Sequence, residues 1–275
     1  MSVAGGLHHA LEDAARHRCG AVQLFTKNAS QWAARPLDPE AVRTFRETMA
    51  RLGPFRSAAH DSYLINLASP DRALRERSRR AFIEEIERCE LLGLEYLVFH
   101  PGAHMGAGEK AGIATAAAGV RQALRSSSGY RTVLLFENTA GQGTCLGGPL
   151  EHLTMLLDGA GGEPRAGVCL DTCHLWAAGH DYSTPERYAA LRARIVTEIG
   201  AERVRWIHCN DAKSALGSRL DRHEHIGRGR IGSRALACFL RDPLWRSTPM
   251  VLETPKENEA DRRNLAMLRR LSRMR

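Results

Sequence analysis

The sequence has no apolar run approaching the roughly 18 to 20 residues that a membrane span requires, which excludes a membrane-spanning protein. Its start, Met1-Ser2-Val3-Ala4-Gly5-Gly6-Leu7, lacks the basic flank and apolar stretch of a secretory leader, so a cytoplasmic protein is expected. It also lacks any CxxC pair. Cys19, Cys89, Cys145, Cys169, Cys173, Cys209 and Cys238 are odd in number and scattered, which argues against a disulfide frame and against a thiolate zinc site. Lysine is scarce: only Lys27, Lys110, Lys213 and Lys256 occur among the 39 basic residues, and the remainder are arginine. The formal charge of +8 is therefore carried mainly by guanidinium, whose planar fork suits phosphate. A GC-rich genome enriches arginine in the same way, so composition alone leaves a phosphate-bearing partner open.

No low-complexity tract or linker interrupts the chain, and its 275 residues fit one α/β barrel or two smaller domains. Short apolar runs mark strands at 21–25, 56–60, 94–100, 132–137, 166–171, 204–208 and 249–253. Amphipathic stretches separate them. In residues 76–92, Phe82, Ile86 and Cys89 form one helical stripe and Gly93 supplies the stop. The strand ends fall 34 to 45 residues apart, one βα unit each, which implies a parallel sheet in a TIM (β/α)8 barrel spanning 1–275 as a single domain. A barrel of that kind has eight strands, and only seven are legible.

Six consecutive strand candidates end in His60, His100, Glu137, Asp171, His208 and Glu253, all of them potential metal ligands. In a βα barrel the carboxyl ends of the strands converge on one face, so these side chains are expected to meet. His174 lies three residues beyond Asp171, and the pair Asp221 and His223 has the spacing that places both on one side of an extended loop. Five histidines and four carboxylates without thiolate favour zinc, with manganese or iron next, over the all-oxygen shells of calcium and magnesium. Nine donors exceed one ion, so two or three metals are expected. Each residue alone could be ordinary hydrogen-bonded structure; four carboxylates at one barrel mouth without cations would be costly. His104, His152, His180 and His225 fall outside the pattern and are read as non-ligands, His225 being close enough to His223 to support it.

Three stretches carry a family resemblance: His60-Asp61-Ser62-Tyr63-Leu64-Ile65-Asn66-Leu67-Ala68, Gly167-Val168-Cys169-Leu170-Asp171-Thr172-Cys173-His174, and Ile207-His208-Cys209-Asn210-Asp211-Ala212-Lys213 with Gly217-Ser218-Arg219-Leu220-Asp221-Arg222-His223. They resemble the signature segments of endonuclease IV, the family-2 apurinic/apyrimidinic endonucleases. Phe99-His100-Pro101-Gly102, Phe136-Glu137-Asn138-Thr139-Ala140-Gly141-Gln142-Gly143 and Leu252-Glu253-Thr254 match in the same order, so the likeness covers nearly the whole chain.

The resemblance implies a DNA-repair enzyme acting on duplex DNA with abasic sites; nothing in the sequence indicates an oligomer, and a monomer is the default expectation for a barrel working on a duplex. It would cut 5′ to the lesion and leave a 3′-hydroxyl, with 3′-phosphodiesterase activity as a further expectation. It implies three Zn²⁺, with Mn²⁺ or Co²⁺ as substitutes: the first held by His60, His100 and Glu137, the second by Glu137, Asp171, His208 and Glu253, the third by His174, Asp221 and His223. Glu137 and Glu253 are the carboxylates expected to carry catalysis. An acidified water would attack phosphorus, so no side-chain nucleophile is needed. Tyr63 and Leu64 resemble the wedge that enters the duplex at the lesion, and Lys213, Arg219 and Arg222, with Arg228 and Arg230, are expected on backbone phosphates. Ser30 stands where some family members place an arginine in the groove.

Two other readings use the same residues. A sugar isomerase or epimerase shares the barrel and strand-end ligands, yet leaves His174, Asp221 and His223 without a role. A non-catalytic binder of damaged DNA would retain the metals as structure. Family members begin with a strand before the Ser-x-Ala-Gly-Gly-Leu segment, so the first barrel strand is expected to be missing here, and sequence preceding Met1 is expected to supply it and raise stability.

Overall fold

Strands and helices alternate along the chain as the spacing of its apolar runs predicts. The structure is a computed structural model that describes residues 3–257 and 259–273. Among the described residues the parallel strands number seven, the number expected from the sequence, and no helix is long and apolar enough to cross a membrane.

The chain divides into two compact units. The first comprises Met1–Phe136 and Leu156–Gly167; the second comprises Glu137–Met155 and Val168–Arg275. The first carries α1 (His9–Arg16), β1 (Ala21–Phe25), α2 (Pro39–Leu52), β2 (Arg56–His60), α3 (Arg72–Leu92), β3 (Tyr96–Phe99), α4 (Glu109–Ser126) and β4 (Val133–Glu137), whose last residue opens the second unit. β1, β2, β3 and β4 pair in parallel in that order. Helix α3 begins at Arg72, four residues before the expected start, because Asp71 caps it, its side chain accepting from Leu74 N at 2.6 Å. It stops at Gly93, where φ is +75°, a conformation open to a residue without Cβ. Leu94 N then donates to Cys89 O, so Leu94 belongs to the helix stop and β3 is shorter than the apolar run suggested.

After α5 (Leu150–Gly159) and β5 (Ala166–Asp171), the second unit holds α6 (Thr172–Ala177), α7 (Pro185–Glu198), β6 (Val204–His208), β7 (Asp211–Ala212), β8 (His223–Glu224), α8 (Gly232–Arg241), β9 (Met250–Val251) and α9 (Ala260–Arg273). β6 lies between β5 and β9, parallel to both. β9 has two residues where five were expected, because Glu253 N leaves the ladder and donates to Asn210 Oδ1 at 2.7 Å. The antiparallel pair β7–β8 was expected only as an extended loop; it aligns Asp211 with Glu224 and Ala212 with His223, and so returns the Asp221–His223 segment toward the end of β6.

Each unit has its own aromatic core. In the first, the Phe99 ring lies 4.7 Å from that of Phe82 and 4.8 Å from that of Phe136. In the second, Phe239 packs edge-on against Tyr182 at 5.3 Å and Tyr188 at 4.9 Å, and the Tyr182 hydroxyl donates to Thr172 O, directly after β5. Phe239 is fully buried. Phe239→Ala is expected to lower the unfolding free energy by about 3 to 5 kcal/mol, while Leu220→Ala on the exposed loop is expected to change it by less than about 0.5 kcal/mol, both read by urea titration.

Candidate metal centre

In the first unit the geometry is set by two strand ends. His60 closes β2 and His100 follows β3 directly, and their rings meet edge to face with centroids 5.2 Å apart. His60 Nδ1 donates to Asp61 O at 3.0 Å, which fixes the tautomer that leaves the lone pair on Nε2. Tyr63 stands over both imidazoles, 5.5 Å from His60 and 6.2 Å from His100, with Phe25 at 5.6 Å behind it. It is 60% exposed, unusual for so large a ring, whereas Leu64 is half-buried.

The second unit gathers seven of the nine expected ligands. Glu137, Asp171 and His208 close β4, β5 and β6 and are all fully buried. His208 Nδ1 lies 2.9 Å from Glu137 Oε1, 3.0 Å from Glu253 Oε2 and 3.7 Å from Asp171 Oδ2. His174, carried on the first turn of α6, places Nδ1 at 3.3 Å from Glu137 Oε1 and Nε2 at 3.3 Å from Asp221 Oδ2. His223 Nε2 lies 3.3 Å from Asp221 Oδ1 and 3.6 Å from Asp171 Oδ2. Four carboxylates and three imidazoles thus converge on one another rather than on basic side chains.

Electrostatics follow from that convergence. Burial disfavours a charged imidazole at His174, yet Asp171, Asp221 and Glu137 together raise its pKa well above the ordinary histidine value. At His208 burial is likewise outweighed, with Glu253 and Glu137 among the groups that raise it. The pocket of carboxylates demands positive charge. Its donor chemistry fits a zinc-type divalent cation: the His223 Nε2 atom is buried, makes no hydrogen bond and faces two carboxylates, while its Nδ1 donates to Glu253 O at 2.9 Å. His174 Nδ1 is similarly set against Asn138 O at 2.9 Å.

Two residues that sequence reasoning passed over hold this set in place. Asn138 Oδ1 accepts from Asp171 N at 2.6 Å; Asn210 Nδ2 donates to Asp171 Oδ2 at 2.6 Å while its Oδ1 receives Glu253 N. Both are fully buried, and both stand one or two residues after a ligand-bearing strand end, which was the available signal. Asp171 Oδ1 in turn accepts His174 N at 2.8 Å as the cap of α6, so one carboxylate both starts the helix and stands in the cluster. The histidines read as non-ligands contact backbone: His104 Nδ1 accepts from Gly108 N, His152 Nδ1 from Gly147 N, and His180 Nε2 bonds Gly148 O. His225 turns from the centre, its Nδ1 toward Asn264 at 3.0 Å and its Nε2 toward Glu257 at 3.4 Å.

Lys213, Arg219, Arg222, Arg228 and Arg230 are all exposed on the two loops that leave β7 and β8. Their backbone is fixed even though their side chains reach solvent. Lys213 N donates to Arg222 O at 2.8 Å, Arg219 N to Ala177 O at 2.9 Å, and Arg230 N to Ala212 O at 2.7 Å. The buried carboxylate of Asp211 accepts N–H groups from Gly227, Gly229, Ile231 and Gly232, tying down the segment that presents Arg228 and Arg230.

Residues 11–271 match the family model described as xylose isomerase-like TIM barrel. A probable endonuclease 4 of Chloroflexus aurantiacus is 45% identical over 273 residues, covering 98% of this chain and 96% of that protein. The chain belongs to the endonuclease IV family. Among solved structures, endonuclease IV from Thermus thermophilus superposes with a TM-score of 0.87 at 34% identity, covering 98% of this chain and 96% of its own. A D-tagatose 3-epimerase-like protein reaches a TM-score of 0.75 at 17% identity, covering 98% of this chain and 94% of its own, a likeness of fold alone. The TIM-barrel class read from the strand spacing is thereby established for this member of the endonuclease IV family.

Within the second unit, Glu137 stands against two imidazoles and His174 is held from one side by Asn138. Glu137→Ala is expected to lose more bound metal and more activity than His174→Ala, measured by elemental analysis and duplex nicking on variants with matched thermal midpoints. Equal losses in the two variants would show that the ligands are grouped differently.

Proposed function

We propose that this chain is a DNA-repair endonuclease that hydrolyses the phosphodiester bond on the 5′ side of an abasic site in duplex DNA, leaving a 3′-hydroxyl, and that also removes 3′-blocking phosphodiesters. The observation that carries the reading is the convergence of Glu137, Asp171, Asp221 and Glu253 on the imidazoles of His174, His208 and His223. Membership of the endonuclease IV family supports it, as does a relative named endonuclease 4 that aligns over nearly the whole chain.

Three Zn²⁺ are the proposed cofactors, with Mn²⁺ or Co²⁺ as substitutes. His60, His100 and Glu137 would hold the first, Glu137, Asp171, His208 and Glu253 the second, and His174, Asp221 and His223 the third. When bound, such ions supply Lewis acidity toward the phosphoryl oxygens and lower the pKa of a coordinated water toward neutrality. The protein's share is placement. Asn138 and Asn210 aim Asp171 and Glu253, and the backbone carbonyls on His174 and His223 fix which ring nitrogen faces inward. Glu137 and Glu253 are the proposed catalytic carboxylates, acting by setting the spacing of the reacting centre.

Lys213, Arg219 and Arg222 would neutralise backbone phosphates, with Arg228 and Arg230 on the segment tied by Asp211. Tyr63, exposed over His60 and His100, would enter the duplex with Leu64 where the missing base leaves a gap. The enzyme would act as a monomeric single domain in the cytoplasm, at the nucleoid during repair.

Incubation with a duplex carrying one tetrahydrofuran abasic analogue tests the reading. Nicking 5′ to the analogue is expected, with loss in strong chelator and recovery on adding Zn²⁺; full activity in protein shown to be metal-free would sink it. Shifting the duplex without cutting it would point to a non-catalytic binder, and indifference to it would point to a sugar isomerase. Tyr63→Ala is expected to weaken binding to abasic duplex by roughly 1 to 3 kcal/mol and to leave undamaged duplex little affected, read by fluorescence anisotropy at one salt concentration.

A further inference from the structure

The first unit carries another imidazole–carboxylate group that shares no residue with the nine expected ligands. His8, His9 and Glu12 each offer one ligand atom, and these atoms all lie within 4.8 Å of one another. The convergence is local in origin. His8 precedes α1 but already has helical dihedrals, φ −63° and ψ −25°, so Glu12 stands one turn on from both histidines, at i+4 and i+3. His9 Nδ1 lies 2.9 Å from Glu12 Oε2, and the two imidazole centroids are 4.1 Å apart at an interplanar angle of 41°.

The preceding turn is shaped around the rings. Gly5 and Gly6 both take positive φ, +83° and +149°. A Cβ on Gly6 would stand 2.8 Å from His8 Cε1 and 3.0 Å from His8 Nδ1, and one on Gly5 would stand 3.3 Å from His9 Cδ2. Another residue at Gly6 would push the His8 ring aside, and the positive φ at both positions disfavours any residue but glycine. Glu12 is held below the usual carboxylate range, chiefly by its hydrogen bond with His9. An i, i+3 pair between His9 and Glu12 alone would be an ordinary helix contact; the inward position of His8 over Gly6 is what that contact leaves unexplained.

We propose that His8, His9 and Glu12 bind one divalent cation of the borderline class, Ni²⁺, Cu²⁺ or Zn²⁺. Two imidazole nitrogens and one carboxylate oxygen select such ions over calcium or magnesium, which take all-oxygen shells. The His9 and Glu12 side chains are 44% and 39% exposed, so water completes the coordination and the ion exchanges with solvent. The positive end of α1 opposes a cation there, and the Glu12 carboxylate offsets it. Affinity is therefore lower than in a closed structural site.

Calorimetric titration of the zinc-loaded protein with NiCl₂ tests this. One further ion per chain is expected, with binding weakened by roughly ten- to hundredfold in His9→Ala and in Glu12→Gln and the thermal midpoint without nickel unchanged. An isotherm identical in wild type and both variants, or no nickel binding by the wild type, would overturn the proposal. Should either variant unfold, the wild type decides: substoichiometric Ni²⁺ should broaden the His8 and His9 imidazole resonances before those of His17 and His104. Simultaneous broadening of all four would count against the site.

Discussion

The second unit is organised by the need to place like charges together without expelling them. Glu137 and Asp171 are fully shielded from solvent, and Glu253 and Asp221 approach the same imidazoles from the strand and loop that follow. Carboxylates so placed repel one another at a cost of several kcal/mol unless cations or protons answer them, and the raised basicity of His174 and His208 is that demand expressed in the side chains themselves. Much of the surrounding structure serves the placement. Asp171 uses one oxygen on the start of α6 and the other on Asn210, and Asn210 uses its own oxygen on Glu253, so three segments of the cluster are locked through two side chains.

The same economy explains the loops. A hairpin of only two residues per strand brings Asp221 and His223 back to the centre, and Asp211, the first residue of that hairpin, gathers four backbone N–H groups from the next segment. Ligand placement and the presentation of Arg228 and Arg230 therefore depend on one stretch of chain, 211–232. A backbone held by hydrogen bonds beneath exposed basic side chains would suit the phosphate contacts of the proposed function.

The sequence disclosed the order of elements because a buried parallel strand must be apolar and end where the chain turns to the catalytic face. β1, β2, β5 and β6 run between the residues that the apolar pattern marked. Where boundaries moved, a local hydrogen bond had claimed an apolar or ligand residue: Leu94 for the stop of α3, Glu253 for Asn210. Asp71 extended α3 by a cap that an amphipathic stripe cannot reveal. Residue types able to bind metal stood out at the strand ends because histidine and carboxylate are rare in such positions. Asn138 and Asn210 were not, since an asparagine after a strand reads as a turn until its burial is known. Family resemblance supplied the grouping of ligands into three ions; spacing alone left two or three open.

On the proposed function, nitrogen and oxygen donors from the strand ends, from α6 and from the 221–223 segment, and no cysteine, hold the metals. Cys173 is the sharp case, because its thiol lies close enough to Asp221 and His223 to be a candidate ligand, although burial and Asp171 push its pKa up. X-ray absorption at the zinc edge of the purified protein distinguishes the two. A shell of nitrogen and oxygen at about 2.0 to 2.1 Å with a metal–metal vector of about 3.5 to 4 Å is expected. A sulfur shell at about 2.3 Å, or zinc without any metal neighbour, would contradict it.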